Sequence, residues 1–279
     1  MKKEKNIPIN GEHKRLMPLD YQYDDTLKGV LPVVIFCHGF KGFKDWGAWD
    51  LMGDAFAKAG HLFIKFNYSH NGGTMSQPID FPDLEAFGNN NYSYEVRDTQ
   101  RVIDWVVKSD LPVDHENITL IGHSRAGGIT TLVAQQDLRV KNLITLAAVA
   151  NYAERFPAGD ALQQWRKEGV HYIKNGRTKQ EMPLYYQFYL DYQNNKSALN
   201  ILDHATGLKK PHLIIHGDQD PTVDVKDAYV LQSNSTQSQL MIIPSADHVL
   251  GASHPWNSKV LPAHLQQATN GMLQFLQSY

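Results

Sequence analysis

The chain has 279 residues, 42% of them hydrophobic and 20% charged, with a formal net charge of -2. That is enough apolar chain to bury a core without disulfide or metal staples, and the charge excludes the strongly basic balance of proteins built to grip nucleic acid or anionic membranes. A lone cysteine, Cys37, rules out an intrachain disulfide, and no apolar run reaches membrane-span length. The start, Met1-Lys2-Lys3-Glu4-Lys5, is basic but is not followed by an apolar stretch of signal-peptide length, so a cytoplasmic location is expected.

In chain order, Ile7 to Gly11 and Lys14 to Tyr23 read as edge strands joined by a turn. Val33-Val34-Ile35-Phe36-Cys37 is a continuous apolar run, the pattern of a strand buried on both faces of a parallel sheet. Gly47 to Gly60 carries helical spacing at Leu51, Met52, Ala55, Phe56 and Ala59, and Leu62 to Phe66 is the next strand. A loop-rich stretch, 67 to 91, leads to a helix predicted over Tyr94 to Lys108. Ile118 to Ile121 is a strand that runs through a glycine-rich turn into a helix containing Ile129, Leu132 and Val133. Leu143 to Ala148, Leu213 to His216 and Leu240 to Ile243 are further strands, with helices predicted over Asp224 to Leu231 and Pro262 to Leu276. Strands alternating with helices imply right-handed crossovers and a mostly parallel sheet flanked by helices, an α/β fold.

The alternation breaks once, between Asn151 and about Lys210. The core is therefore expected over 1–150 and 211–279, with 151–210 inserted. The insert holds a helical piece at Asp160 to Glu168 and a hairpin pattern, Val170 to Lys174 and Arg177 to Glu181 around Asn175-Gly176. A second helical piece lies near Tyr185 to Asn194. It is rich in aromatics and is expected to cap the C-terminal edge of the sheet, where open α/β sheets bind ligands. Tyr152, Trp165, Tyr185 and Tyr189 are its candidate substrate contacts.

Function is most legible at Gly122-His123-Ser124-Arg125-Ala126-Gly127-Gly128. Strand, tight turn and helix with serine at the apex resemble the nucleophile elbow of α/β-hydrolases, with Ala126 where glycine is commoner. Small residues let strand and helix approach closely, and the Arg125 amide begins a helix whose N-terminus favours a developing oxyanion. A serine needs a histidine base oriented by a carboxylate, and in this fold the chain order is serine, acid, histidine. After the strand at 213 to 216 comes Gly217-Asp218-Gln219-Asp220-Pro221, where Asp220 is the preferred acid and Asp218 is expected to serve the turn. After the strand at 240 to 243 comes His248, the preferred base over His254 and His264. His38-Gly39-Phe40-Lys41-Gly42 follows the first buried strand, where the fold places its oxyanion loop. Phe40 N–H is the expected second donor, and His38 is expected to brace the loop.

The sequence thus resembles α/β-hydrolases over nearly its whole length. His38 to Gly42, Gly122 to Gly127 and the helix–hairpin–helix insert are similar to cinnamoyl and feruloyl esterases. In those enzymes the corresponding phenylalanine and the residue after the serine form the oxyanion hole, and the insert shapes the acyl pocket. It is also similar to dienelactone-hydrolase-like proteins and prolyl-oligopeptidase-type catalytic domains. A true dienelactone hydrolase would carry cysteine at the elbow where Ser124 stands, and a prolyl-oligopeptidase-type enzyme usually carries a large β-propeller ahead of the hydrolase domain. The resemblance implies a serine esterase acting on short-acyl or cinnamoyl-type esters, with peptidase or acyltransferase as the alternative and a non-catalytic binding module as a third. The expected partner is a small-molecule ester. No metal, organic cofactor, nucleic acid or membrane is expected. Arg125 and Lys41 flank the site and suit a substrate carboxylate or phenolate, unless they are surface charges at loop ends.

Overall fold

The computed structural model describes all residues 1–279. An eight-stranded sheet runs through the middle, built from β1 (Lys2–Asn10), β2 (Leu16–Tyr23), β3 (Leu31–Cys37), β4 (Leu62–Phe66), β5 (Val113–His123), β6 (Val140–Leu146), β9 (His212–Gly217) and β10 (Ser238–Ile243). Their spatial order is β1-β2-β4-β3-β5-β6-β9-β10. The β1–β2 and β2–β4 pairs are antiparallel, and every pairing from β4 to β10 is parallel.

Alternation along β3 explains why its run is apolar throughout. Val33, Ile35 and Cys37 pack with Val102 and Val106 of α3 (Tyr92–Lys108) and Val133 of α4 (Arg125–Gln136). Val34 and Phe36 face the other way, onto Met52 and Phe56 of α1 (Trp49–Lys58) and Leu265 and Met272 of α9 (Ala263–Leu276). Both faces are covered, so no position tolerates a polar side chain without a partner. Cys37 is fully buried, which pushes its thiol up to about 12 and leaves it unreactive.

Several elements differ from the sequence expectation. The first strand begins at Lys2, and β5 begins at Val113. Helix α3 starts at Tyr92 because the Asn91 side chain caps it, accepting from the Tyr94 amide at 2.9 Å. Short helices α2 (Leu84–Gly88) and α7 (Ile201–Gly207) were not anticipated. Helix α8 spans Lys226–Asn234, two residues later than expected at its start.

Residues 151–210 contain α5 (Gly159–Glu168), a separate hairpin of β7 (Val170–Lys174) and β8 (Glu181–Tyr185), α6 (Gln187–Asn194) and α7. The second hairpin strand lies beyond the expected Arg177 to Glu181. The Asn175 side chain accepts from the Arg177 amide at 3.1 Å and from the Thr178 amide, and the Asn175 amide donates to Gln180 O at 2.9 Å. This closes a longer loop than a two-residue Asn-Gly turn.

Candidate active site

The C-terminal ends of the parallel strands meet around one cavity of about 480 Å³. Ser124 follows β5 with φ 57° and ψ -122°, a conformation that L residues adopt only under constraint. The constraint is visible around it. The Ser124 amide donates to Leu146 O at 2.8 Å, and the Gly127 amide donates to Ser124 O at 2.9 Å. A Cβ on Gly122 would press into the Ala126 carbonyl and Thr130, and one on Gly127 would press into Ala148. The close approaches thus fall at Gly122 and Gly127, with the Ala126 methyl fully buried beside them. Ser124 is 8% exposed, and its hydroxyl makes no hydrogen bond to protein.

The loops after β9 and β10 bring Asp220 and His248 together. Asp220 Oδ2 lies 2.7 Å from His248 Nδ1 and 3.3 Å from His216 Nε2. Its other oxygen accepts from the Thr222 and Val223 amides at 2.8 and 2.9 Å. Burial pushes this carboxyl up, but bonds from His216, His248 and the Val223 amide outweigh that and hold it well below the usual carboxylate range. An ionised Asp220 at Nδ1 puts the His248 proton on that nitrogen and leaves Nε2 as an acceptor. His248 and Ser124 line the same cavity. No hydrogen bond joins them, and a bond between base and nucleophile often tightens only when substrate binds.

The rival residues have other partners. Asp218 accepts from the Ser245 amide at 2.6 Å and ties the two loops. His254 Nδ1 accepts from the Gly47 amide at 3.0 Å, and its ring packs on Phe43. His264 lies in α9. The buried His38 Nδ1 donates to Gly39 O at 2.9 Å, and burial holds its pKa down to about 4, so the ring is neutral.

Phe40 and Arg125 both line the cavity, and neither backbone amide donates to a protein acceptor. The Phe40 loop is pinned close to the serine, since a Cβ on Gly39 would lie 2.9 Å from Ser124 Cβ. A buried ion network anchors the far end of this loop. Lys44 Nζ contacts Asp20 at 2.8 Å and Asp45 at 2.5 Å, and Lys65 Nζ contacts Asp20 at 2.9 Å, Asp50 at 2.7 Å and also Asp45. The Lys44 amide donates to Asn67 Oδ1 at 2.7 Å. The three aspartates converge closely enough to ligate a cation, but two lysine ammonium groups already supply the countercharge.

Two residues at the site had no signal of their own in the sequence. His123, the variable position of the elbow motif, lies 2.9 Å through Nε2 from His248 O, and its ring sits 4.9 Å from the His248 ring. Burial lowers it to about 3, so it stays neutral and donates from Nε2 to that carbonyl. Glu95, buried in α3, lies 3.4 Å from the Arg125 guanidinium and accepts from Asn90 at 2.7 Å.

Of the four aromatic candidates in the insert, Tyr152 lines the cavity and donates its hydroxyl to Arg125 O at 3.0 Å. The other three lie outside the lining. Trp165 is buried, with Nε1 donating to Leu184 O at 2.8 Å, and Tyr189 packs on Phe156 and Tyr186. Tyr185 hydrogen-bonds Glu85 and docks the hairpin against α2. Residues 151–210 also reach the cavity through Arg155, Ile173, Asn175, Arg177, Leu184 and Phe188.

The family model described as alpha/beta hydrolase fold matches residues 32–172, and the chain belongs to that family. Among solved structures it is similar to Est1E from Butyrivibrio proteoclasticus bound to ferulic acid, with TM-score 0.74, 18% identity and 98% of each chain covered. It is similar to GrgF, an α/β hydrolase from Penicillium sp. sh18, with TM-score 0.75, 14% identity, and 100% of this chain and 99% of that one covered. The esterase domain of a Rhodothermus marinus protein aligns with TM-score 0.69 and 18% identity, over 100% of this chain and 99% of that one. At these identities the likeness is one of fold. An uncharacterized 31.7 kDa protein of the traX-finO intergenic region of Escherichia coli is 30% identical over 120 residues, 43% of this chain. The match spans 38% of that relative's length. No helix is long and apolar enough to cross a membrane.

Proposed function

We propose that this protein is a serine hydrolase of carboxylic esters with short acyl or cinnamoyl-type groups. The observation that carries the reading is the ionised Asp220 held 2.7 Å from His248 Nδ1 at the rim of a cavity that also contains the strained Ser124. In this reading His248 Nε2 takes the Ser124 proton as the hydroxyl attacks the ester carbonyl. Asp220 fixes the imidazole tautomer and stabilises the imidazolium that forms. The free amides of Phe40 and Arg125 receive the oxyanion. The imidazolium protonates the departing alcohol, and His248 then activates water to release the acid from the acyl-enzyme. Residues 151–210 act as a cap that shapes the acyl pocket, with Tyr152 and Phe188 among its walls.

A parallel assay on p-nitrophenyl acetate, methyl ferulate and an amino-acyl p-nitroanilide tests this reading. Faster turnover of the two esters is expected. A dominant rate on the anilide would replace esterase by peptidase, and transfer to an added alcohol in preference to water would replace it by acyltransferase. No turnover of any of the three would favour a binding module.

A further inference from the structure

Four cationic side chains line the cavity, Lys41, Arg125, Arg155 and Arg177, and no aspartate or glutamate does. The chain as a whole has a net charge of -2, so the polarity of the cavity is local. Three of the four charges are matched by carboxylates outside the lining. Arg125 faces Glu95 at 3.4 Å, Arg155 faces Asp227 at 3.1 Å, and Arg177 pairs with Asp80. Lys41 has no carboxylate within ion-pairing distance. Its ammonium lies 5.8 Å from the centre of the Phe40 ring, and its backbone sits in the left-handed region with φ 55°.

Burial and the nearby Arg125 charge both hold the Lys41 pKa below the usual lysine value. A half-buried ammonium beside a guanidinium is unfavourable, and a bound anion relieves both the desolvation and the repulsion. The position is also specific. Lys41 and Arg125 share the lining with Ser124, and their charges lie 5.8 and 3.9 Å from the centre of the same Phe40 ring. Only one of the four cations lacks a countercharge, which fits a group of one negative charge better than a dianion.

We propose that the ester accepted by this cavity carries a single carboxylate, held by Lys41 together with Arg125. The proposal rests on the esterase reading above and narrows it to half-esters and other ester acids. Lys41 is then a specificity-determining residue of the substrate pocket.

Monomethyl glutarate and its neutral isostere, the corresponding primary amide methyl 4-carbamoylbutanoate, test this directly, with methanol release measured at low and high salt. For the wild-type chain, kcat/KM is expected to be about tenfold higher on the anionic ester, the contribution of one charge-assisted hydrogen bond. The preference should shrink as salt rises. In Lys41→Gln the ratio of the two kcat/KM values should fall toward one, mainly through KM on the anionic ester, while Lys41→Arg should retain the preference. Equal wild-type rates, or a ratio that Lys41→Gln leaves intact, would overturn the inference and leave the esterase reading standing. Turnover of neither ester, nor of the neutral esters named above, would remove both.

Discussion

The Arg125 guanidinium lies 3.9 Å from the centre of the Phe40 ring. The two residues whose amides are proposed to receive the oxyanion are therefore also joined through their side chains, across two loops. Phe40→Ala keeps the amide but removes the ring that holds it in register. A cation–π contact of this kind is worth about 0.5–2 kcal/mol. The variant should lose roughly tenfold in kcat on p-nitrophenyl acetate while keeping its melting temperature within a few degrees. Unchanged kcat would mean that the loop is positioned by the Lys44 anchor alone.

Asp220→Asn tests the orientation of the base. The amide cannot hold the same His248 tautomer at Nδ1, and changes of this kind lower kcat by about 10⁴ in comparable triads. Circular dichroism should remain native, because the carbonyl of the substituted side chain can still accept from the Thr222 and Val223 amides that now bond Asp220. A loss of tenfold or less would place the acid elsewhere.

The elbow geometry makes a stability prediction. A methyl on Gly122 meets the Ala126 backbone and Thr130, and neither is the free end of a flexible chain. Gly122→Ala should therefore cost about 1–3 kcal/mol, the usual range for overpacking, read as a lower urea midpoint. It should also reduce ester turnover, since relief of the clash moves the strand away from the helix that Ser124 caps. A variant with wild-type midpoint and rate would contradict this account of the turn.

Stability should fall in mild acid. Burial holds His38 down to about 4, and His123 and His212 down to about 3. The unfolded chain protonates these rings near about pH 6.5. Between that value and the folded pKa values the unfolded state binds more protons, so stability present at neutral pH is lost as pH falls. Each ring contributes roughly 1.4 kcal/mol per pH unit in that window. Asp98, pushed up by burial to about 6, takes up its proton in the native state and offsets one of the three. Urea unfolding at pH 5 should accordingly be accompanied by a net uptake of protons and show a lower midpoint than at pH 7. A higher midpoint at pH 5 would reverse the sign.

What the sequence made legible was local. A run of five apolar residues marked β3, and the elbow announced itself because strand, serine and helix are contiguous. Asp220 and His248 stood out because each lies a few residues past a strand end, and the two side chains do meet, at 2.7 Å. The missed features depend on partners far along the chain. His123 gains its place only through the carbonyl of His248, and Glu95 only through the Arg125 guanidinium. The hairpin was displaced because the bonds of Asn175 close a longer loop than its Asn-Gly dipeptide favours. Helix α7 did leave a trace, an Asn200 cap that accepts from the Leu202 and Asp203 amides, but it is too short for a clear apolar period. The four aromatics singled out in the insert shared only their composition. One lines the cavity, and the others hold the insert to itself or to α2.

The central claim is that the Ser124 hydroxyl is an activated nucleophile. Its most direct test is intact-mass and peptide-mass measurement after exposure to a fluorophosphonate. A single adduct on the peptide bearing Ser124 is expected in the wild type, absent in Ser124→Ala, together with a fall of about 10⁶ in ester turnover for that variant. A folded wild-type chain that stays unmodified, or a Ser124→Ala chain that hydrolyses esters at an undiminished rate, would contradict the account.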